Sequence, residues 1–322
     1  MRAIRIHELA GIDALRLEEV AAPTPGPGEV RLAVHAAGVN FADSLMLTGV
    51  YQFIPPLPFI PGVEAAGEVL EVGPGVAEFK PGDRVLAPMR SGAYAEEALV
   101  DAGHLVAMPE SMSYTDGAAF PIAYGTSHLA LTHRTRLQAG EILLVLGAAG
   151  GVGLTAVEIG KALGGTVIAC ASSDEKLRIA ESRGADHLIN YASEDLRARV
   201  KALTGGADVV YDPVGGAASR EAMRCLNYEG RLITLGFASG DIPKIPANYL
   251  LVKNISAIGY SFSTYRFEQP DVMRHTLTET CAWYGEGKLK PHISATYPLE
   301  NTAAALTSLV ERRSTGKVVI TL

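Results

Sequence analysis

The sequence predicts an α/β protein, in which a strand-rich N-terminal region precedes a parallel sheet covered by helices on both faces. Short strands separated by Pro-Gly breaks fill residues 1 to about 120, as in GPGEVRLAVHAAGV. From Ile142 onward, apolar runs alternate with helical segments, a pattern typical of right-handed crossovers in a parallel sheet. The stretch LLVLGAAGGVG joins the first of these runs to a helix through a glycine turn, as a dinucleotide-binding unit does.

The length of 322 residues is enough for two domains. The first strand-rich region predicts a small barrel or sandwich over residues 1–123, and the alternating pattern predicts a dinucleotide-binding domain over 124–262. The tail, residues 263–322, contains the patterns of two helices and two strands. Because this tail is too small to form its own core, we expect it to pack on the first domain.

Composition narrows the classes of partner. The net charge of −7 offers no positive field for phosphate backbones or anionic lipids, so nucleic acid is disfavoured as the main partner. The N-terminus has no secretory apolar region, and no apolar run reaches the ~18 residues of a membrane span. We expect a cytosolic protein without a membrane partner. The three cysteines are far apart and are interpreted as small buried apolar residues.

The glycine turn fits the dinucleotide fingerprint in two registers. One register is Ala148-x-Gly150-x-x-Gly153, and the other begins at Gly151. The apolar run ends at Leu146, so the turn must begin at once, which favours the first register. In that register Gly150 lets backbone N–H groups approach the pyrophosphate, and Gly153 allows close packing of helix on strand. The predicted phosphate-binding residues are Ala148, Gly150, Gly151, Val152 and Gly153.

The end of the second strand indicates which dinucleotide is preferred. NAD-selective units place an acidic residue about 20 positions after the glycine turn. Here that position holds Ser172, and Lys176 follows nearby, where it can donate to a ribose 2′-phosphate. The alternative is that residues 172–175 form a capping box and that Lys176 is only a solvated helix residue. We favour NADPH over NADH.

The segments AAGVNFAD, PGVEAAGEV, AYGTSHLAL, AAGGVG and GADHLINY occur in this order along the chain. With them the chain resembles the medium-chain dehydrogenase/reductase superfamily, and most closely its zinc-free NADPH:quinone oxidoreductase branch. The resemblance covers essentially the whole length. It implies a GroES-like β-barrel catalytic domain, built from the N-terminal part and the tail, and a Rossmann domain with a doubly wound parallel sheet.

The resemblance also bears on zinc. The alcohol dehydrogenase branch has a cysteine where this chain has Asn40, and a histidine where it has Val63. A catalytic zinc ion needs about three protein ligands. The cysteine-rich structural lobe is missing as well, so we expect no metal.

Catalytic and cofactor-facing residues are carried over from the same resemblance. It places Asn40 and Thr126 beside the nicotinamide and Tyr51 beside the substrate, while Leu45 replaces a second family tyrosine and makes the pocket more apolar. Structural roles compete with these: Asn40 as a turn cap, Thr126 as a helix cap, and Tyr51 as an amphipathic rim residue. Asp43 is interpreted mainly as a helix start and less as an acid–base group.

Further cofactor contacts are implied at the carboxyl ends of the strands and in the tail. Lys176, Tyr191 and a tail arginine would hold the 2′-phosphate; Arg313 is assigned, with Arg312 left open because the spacing differs. The remaining predicted cofactor-binding residues are Ser172, Val214, Gly236 and Phe237.

These residues predict a zinc-independent, NADPH-dependent oxidoreductase. Without a Lewis acid, hydride transfer needs an acceptor that spreads the arriving charge, such as a quinone or an α,β-unsaturated carbonyl compound. The alternatives are an enoyl-thioester reductase, which the lack of a basic run near residues 45–60 disfavours, and a non-catalytic NADPH-binding protein. The resemblance also implies a homodimer joined through the last Rossmann strand, NISAIGYSF.

Overall fold

The computed structural model describes residues 1–322, which form two compact units. The first unit comprises residues 1–122 and 265–322, and the second comprises residues 123–264. The boundaries expected from sequence lie near residues 124 and 262. No helix is long and apolar enough to cross a membrane.

The strands lie in the following order along the chain: β1 Arg2–Arg5, β2 Arg16–Glu19, β3 Glu29–Val39, β4 Glu64–Val72, β5 Arg84–Pro88, β6 Glu97–Asp101, β7 Val106–Ala107, β8 Ile142–Leu146, β9 Thr166–Ala171, β10 His187–Asn190, β11 Ala207–Asp212, β12 Leu226–Thr234, β13 Ser256–Gly259, β14 Ile293–Pro298 and β15 Lys317–Thr321.

The α-helices lie in this order: α1 Phe41–Leu47, α2 Tyr114–Ala118, α3 Pro121–Leu129, α4 Gly151–Ala162, α5 Asp174–Ser182, α6 Leu196–Thr204, α7 Gly216–Cys225, α8 Ala247–Lys253, α9 Phe262–Glu268, α10 Pro270–Gly285 and α11 Thr302–Val310.

The first unit is organised around the long strand β3. Its sheet has the order β14-β15-β3-β4-β5-β7, with β6 also paired to β3. The alternation of Val30, Leu32 and Val34 places these side chains in the core, because successive strand residues face opposite sides of a sheet. The tail joins the same sheet: β15 pairs antiparallel with β3, with Val318 opposite Val39.

The second unit is a six-stranded sheet of order β10-β9-β8-β11-β12-β13 in which every pairing is parallel. This is the doubly wound strand order of a Rossmann domain. The central strands β8 and β9 are almost entirely apolar and buried, as in parallel sheets covered on both faces. The strand order reverses between β8 and β11, and ligands bind at such a switch point in open α/β sheets.

Candidate active site

The glycine turn connects β8 to α4 at the switch point of the second unit. Gly147 has φ +61°, and α4 begins at Gly151 with Gly150 as its N-cap. The left-handed conformation therefore falls at Gly147, one residue before the register deduced from sequence. Ala148 is fully buried, and its N–H donates to the carbonyl of Cys170 at 3.0 Å. A small side chain suffices at 148 because the sharp bend lies at 147.

Gly153 has the packing role expected of it. A Cβ on Gly153 would overlap the carbonyl oxygen of Gly147, so helix α4 approaches the turn too closely for any side chain. A Cβ on Gly147 would lie 3.0 Å from a methyl group of Val214. The turn after β8 and the turn after β11 are therefore in contact within this unit.

The turn after β11 is shaped by the buried carboxylate of Asp212. Its Oδ1 accepts hydrogen bonds from the N–H groups of Val214 at 2.9 Å and Gly215 at 2.8 Å. Gly236 and Phe237 follow the next strand, β12, and the Phe237 side chain is partly exposed. Val214, Gly236 and Phe237 thus lie at the carboxyl ends of β11 and β12, as expected for residues that line a dinucleotide.

The ends of β9 and β10 bring together the residues predicted to hold a 2′-phosphate. Ser172 is exposed directly after β9, and the N–H of Tyr191 donates to the carbonyl of Ala171 at 3.1 Å. Helix α5 starts one residue later than the capping box at 172–175 suggested. Its N-cap is Ser173, whose side chain accepts from the N–H of Lys176. Lys176 therefore lies in the first turn of α5.

The carboxylate of Asp174, two residues after Ser172, has its own partner. Asp174 Oδ1 accepts a hydrogen bond from the Asn190 side chain at 2.8 Å. No carboxylate occupies the end of β9 itself, where Ser172 stands.

Thr126 lies in the interior of α3 and is buried, so the helix-cap interpretation of this residue is wrong. The next residue, Ser127, shows what holds this helix to the switch point. Its Oγ lies 2.8 Å from Tyr211 OH on β11, 2.7 Å from Thr155 Oγ1, and 2.9 Å from the carbonyl oxygen of Val152 on α4. This network was not predicted from the sequence, in which its only signal is a pair of adjacent hydroxyl residues inside an apolar helix.

In the first unit, five side chains form what we call the Asn40 cluster: Asn40, Asp43, Glu64, Tyr94 and Lys317. Lys317 is only 7% exposed, and its Nζ contacts the Val39 carbonyl at 3.0 Å and both Asn40 Oδ1 and Glu64 Oε1 at 2.7 Å. Asn40 Nδ2 donates to the same Glu64 oxygen at 2.7 Å. The amide of Asn40 is therefore held on both sides by a buried ion pair.

Asn40 and Asp43 also shape the start of helix α1. The Asn40 residue is the N-cap, and its N–H donates to Asp43 Oδ2 at 2.8 Å. The same carboxylate oxygen accepts from Tyr94 OH at 2.7 Å, while Asp43 Oδ1 is buried without a partner. Burial raises the pKa of Asp43 to about 7, against the opposing effect of the Tyr94 and Asn40 hydrogen bonds. The turn-cap role of Asn40 thus involves its backbone, leaving its side chain to the ion pair.

The other predicted residues occupy separate places. Tyr51 lies in the loop after α1 and is half-buried, as is Leu45 in α1. Arg313 follows α11 in the first unit, whereas Lys176 and Tyr191 belong to the second. The guanidinium of Arg313 pairs with the carboxylate of Glu311 at 2.7 Å. Arg312 beside it has φ +58°.

No three His, Cys, Asp or Glu side chains come together as a group that could hold a metal ion. At the Asn40 position, the amide is engaged with Lys317 and Glu64. The donor set around it contains no thiolate or imidazole.

Comparisons with known proteins agree over both units. Residues 26–110 match the family model of the alcohol dehydrogenase GroES-like domain, and residues 151–277 match that of zinc-binding dehydrogenases. The chain is 42% identical over 311 residues to quinone oxidoreductase-like protein 2 of Mus musculus, covering 96% of this chain and 89% of the mouse protein.

Solved structures give the same result. The quinone oxidoreductase of Escherichia coli, in complex with NADPH, superposes with a TM-score of 0.92 at 30% identity, covering 100% of both chains. That of Pseudomonas syringae pv. Tomato superposes with a TM-score of 0.93 at 32% identity, covering 100% of this chain and 99% of the other. With a GroES-like region and a Rossmann sheet in the expected places, the chain belongs to the medium-chain dehydrogenase/reductase superfamily, in its zinc-free quinone oxidoreductase branch.

Proposed function

We propose that this oxidoreductase uses NADPH to reduce a quinone or an α,β-unsaturated carbonyl compound without a metal ion. The observation that carries the proposal is the switch point of the Rossmann sheet, where a glycine turn too tight for any side chain at Gly153 opens helix α4. Such a helix N-terminus offers backbone donors and partial positive charge to a pyrophosphate.

The preference for NADPH rests on the corner formed by Ser172, Lys176 and Tyr191. An exposed hydroxyl stands where NAD-selective domains place a carboxylate, and Lys176 is one turn away. The similar Escherichia coli enzyme is described with NADPH bound, which supports the same choice here. Arg313 is a further proposed phosphate contact, for which its pairing with exposed Glu311 would have to open.

Asn40 is proposed to orient the nicotinamide. Both amide hydrogens are directed to Glu64 and to the Gly38 carbonyl, at 2.7 and 3.3 Å, and Oδ1 accepts from Lys317. A carbonyl-type oxygen has two acceptor positions, so one remains on Oδ1 for an amide N–H of the cofactor. Thr126, buried in helix α3, is the other proposed contact of the nicotinamide.

NADPH, when bound, supplies the hydride; the side chains of this chain position the acceptor and stabilise its charge. The half-buried Tyr51 hydroxyl is proposed to hydrogen-bond the acceptor oxygen on which negative charge develops. Around it, the loop over residues 45–62 is rich in apolar side chains, which exclude water from the reacting atoms. The absence of cysteine and histidine at positions 40 and 63 supports a reaction that needs no zinc.

A turnover assay tests this function directly. We expect NADPH oxidation with 1,4-naphthoquinones or short enones, and no loss of rate after treatment with a strong chelator. Following absorbance at 340 nm across a panel of quinones, enones and enoyl thioesters measures it. Oxidation of NADPH by none of these acceptors would favour a binding protein without catalysis, and loss of activity on chelation would reject the metal-free reaction.

Lys176→Ala tests the choice of cofactor. A charge-assisted hydrogen bond contributes about 1.5–3 kcal/mol, so we expect the KM for NADPH to rise about 10- to 100-fold while the KM for NADH changes little. Steady-state kinetics with both coenzymes measure the effect. Lys201→Ala, on the exposed face of α6, is the matched control. Equal changes for the two coenzymes would contradict the assignment.

Asp43→Asn tests the protonation of the Asn40 cluster. The folded pKa of about 7 exceeds the ordinary value near 3.9, so the folded state binds more protons between these values. Stability should therefore fall as pH rises from about 4 to 7, by about 1.4 kcal/mol per pH unit. The substitution removes this loss, whereas Asp13→Asn, at an exposed aspartate, retains it. Urea unfolding of both variants and the wild type from pH 5 to 8 provides the comparison; identical slopes for wild type and Asp43→Asn would contradict it.

We further propose that the protein is a homodimer joined at the open edge of the Rossmann sheet. Strand β13 ends the sheet and pairs only with β12. Helix α8, which precedes β13 in the chain, exposes Leu251 and Val252 at 78% and 79%. An unpaired edge with adjacent exposed aliphatic side chains is suited to pairing with a second copy across a twofold axis.

Val252→Glu should weaken this dimer, because a carboxylate at a self-complementary contact is buried beside its own symmetry mate. We expect the molar mass from light scattering to fall from the dimer value towards the monomer value. Val310→Glu, an exposed aliphatic position at the end of α11, is the control and should remain dimeric. A monomeric wild type at micromolar concentration would refute the interface.

A further inference from the structure

Arg266, in helix α9, is a buried cation without an anionic partner. The residue is 6% exposed, and its Nε is shielded from solvent and donates to no acceptor. No carboxylate is among the groups that affect its pKa. Buried charges in proteins are normally paired and hydrogen-bonded, since an unpaired ion in the interior is strongly unfavourable.

A second arginine increases the positive charge at this place. The guanidinium of Arg90 lies 3.7 Å from the ring centroid of Phe267, and that of Arg266 lies 4.8 Å from the same centroid. Arg90 also lies 4.8 Å from the ring of Phe53, in the loop that carries Tyr51. Burial, followed by the charge of Arg90, lowers the pKa of Arg266 to about 10, so Arg266 remains charged at neutral pH.

The neighbouring groups do not neutralise the pair. His104 contacts the backbone carbonyl of Arg266 at 3.1 Å, and burial lowers its pKa, which leaves it uncharged at neutral pH. Asp101 acts on His104 and accepts the Gly103 N–H at 2.8 Å.

Cation–π contacts alone do not account for this arrangement. A cation–π contact gives the N–H donors of a guanidinium group no anionic acceptor. Those donors form a fork that matches the oxygens of a carboxylate, sulfonate or phosphate. The rings of Phe53 and Phe267, 37% and 40% exposed, supply apolar surface beside it for a flat molecule.

We propose that Arg266, assisted by Arg90, binds an anionic group carried by the electron acceptor, so that the preferred substrates are acidic quinones or enones or acceptors with a phosphate-bearing carrier. This inference rests on the proposed function and specifies its substrate class. The anion sits at the two guanidinium groups while the acceptor ring lies along the phenylalanines toward Tyr51. The apolar loop then selects the acceptor by shape, and Arg266 selects it by charge.

The test compares charged and neutral acceptors in the Arg266→Met variant. One pair is 1,4-naphthoquinone-2-sulfonate with 2-methyl-1,4-naphthoquinone; the other is crotonyl-CoA with crotonyl-N-acetylcysteamine. The two members of each pair also differ in intrinsic reactivity. The readout is therefore the kcat/KM for the charged acceptor divided by that for the neutral one, compared between wild type and Arg266→Met. We expect the charged-to-neutral ratio to fall about 10- to 100-fold for one pair.

The affected pair identifies the source of the anion: the sulfonate pair indicates an acidic group on the acceptor, and the thioester pair indicates a carrier phosphate. Arg274→Met, which removes an arginine paired with Glu78, is the control and should alter neither ratio. Unchanged ratios for both pairs in Arg266→Met would overturn the inference while leaving the proposed function intact.

A binding measurement keeps the inference testable even if no acceptor is reduced. Naphthalene-2-sulfonate should bind the wild type in isothermal titration calorimetry more tightly than 2-naphthol, and should raise its Tm. Both effects should disappear in Arg266→Met and persist in Arg274→Met. Equal binding of the sulfonate to the wild type and Arg266→Met would reject the site independently of any turnover.

Discussion

The buried ion pair between Glu64 and Lys317 is the interaction on which the Asn40 cluster of the first unit depends. It joins the start of β4 to the start of β15, and Glu64 Oε2 also accepts the N–H of Ile122 at the start of α3. Three separate chain segments are therefore fixed by one carboxylate. Such a pair tolerates burial only when further hydrogen bonds satisfy its remaining donors and acceptors. Asn40 donates to Glu64 and accepts from Lys317, and these two bonds hold its amide in a single orientation.

The second unit achieves a comparable constraint with almost no charge. Gly147 bends the chain, Gly153 lets α4 approach the bend, and Ser127 ties α3 to α4 and β11 through hydroxyl groups. Asp212 then uses its one bonded oxygen to fix the neighbouring turn. Small residues and backbone hydrogen bonds leave room at the strand ends, as a bulky anionic dinucleotide requires.

The sequence predicted the local patterns well and the contacts between distant segments poorly. Alternating apolar runs and helices predicted the parallel sheet, because periodicity is a local consequence of burial. In the glycine turn, the close packing at Gly153 agrees with the predicted register, whereas the positive φ lies at Gly147 and not at Ala148, since strand length alone does not show where it falls. Lys317 was not identified, because nothing in GKVVI shows that β15 pairs with β3 beside Asn40.

For the same reason, the sequence did not predict the positive charge beside the loop over residues 45–62. No basic run occurs near residues 45–60, yet folding brings Arg90 to Phe53 and to Phe267, the neighbour of Arg266. Lys317 and Arg266 differ in whether the protein supplies acceptors for their charged donors. Lys317 Nζ has three donors and three protein acceptors, so its charge is fully used within the fold. Arg266 has donors but no protein anion, and in our proposal the anionic group of the acceptor is its partner.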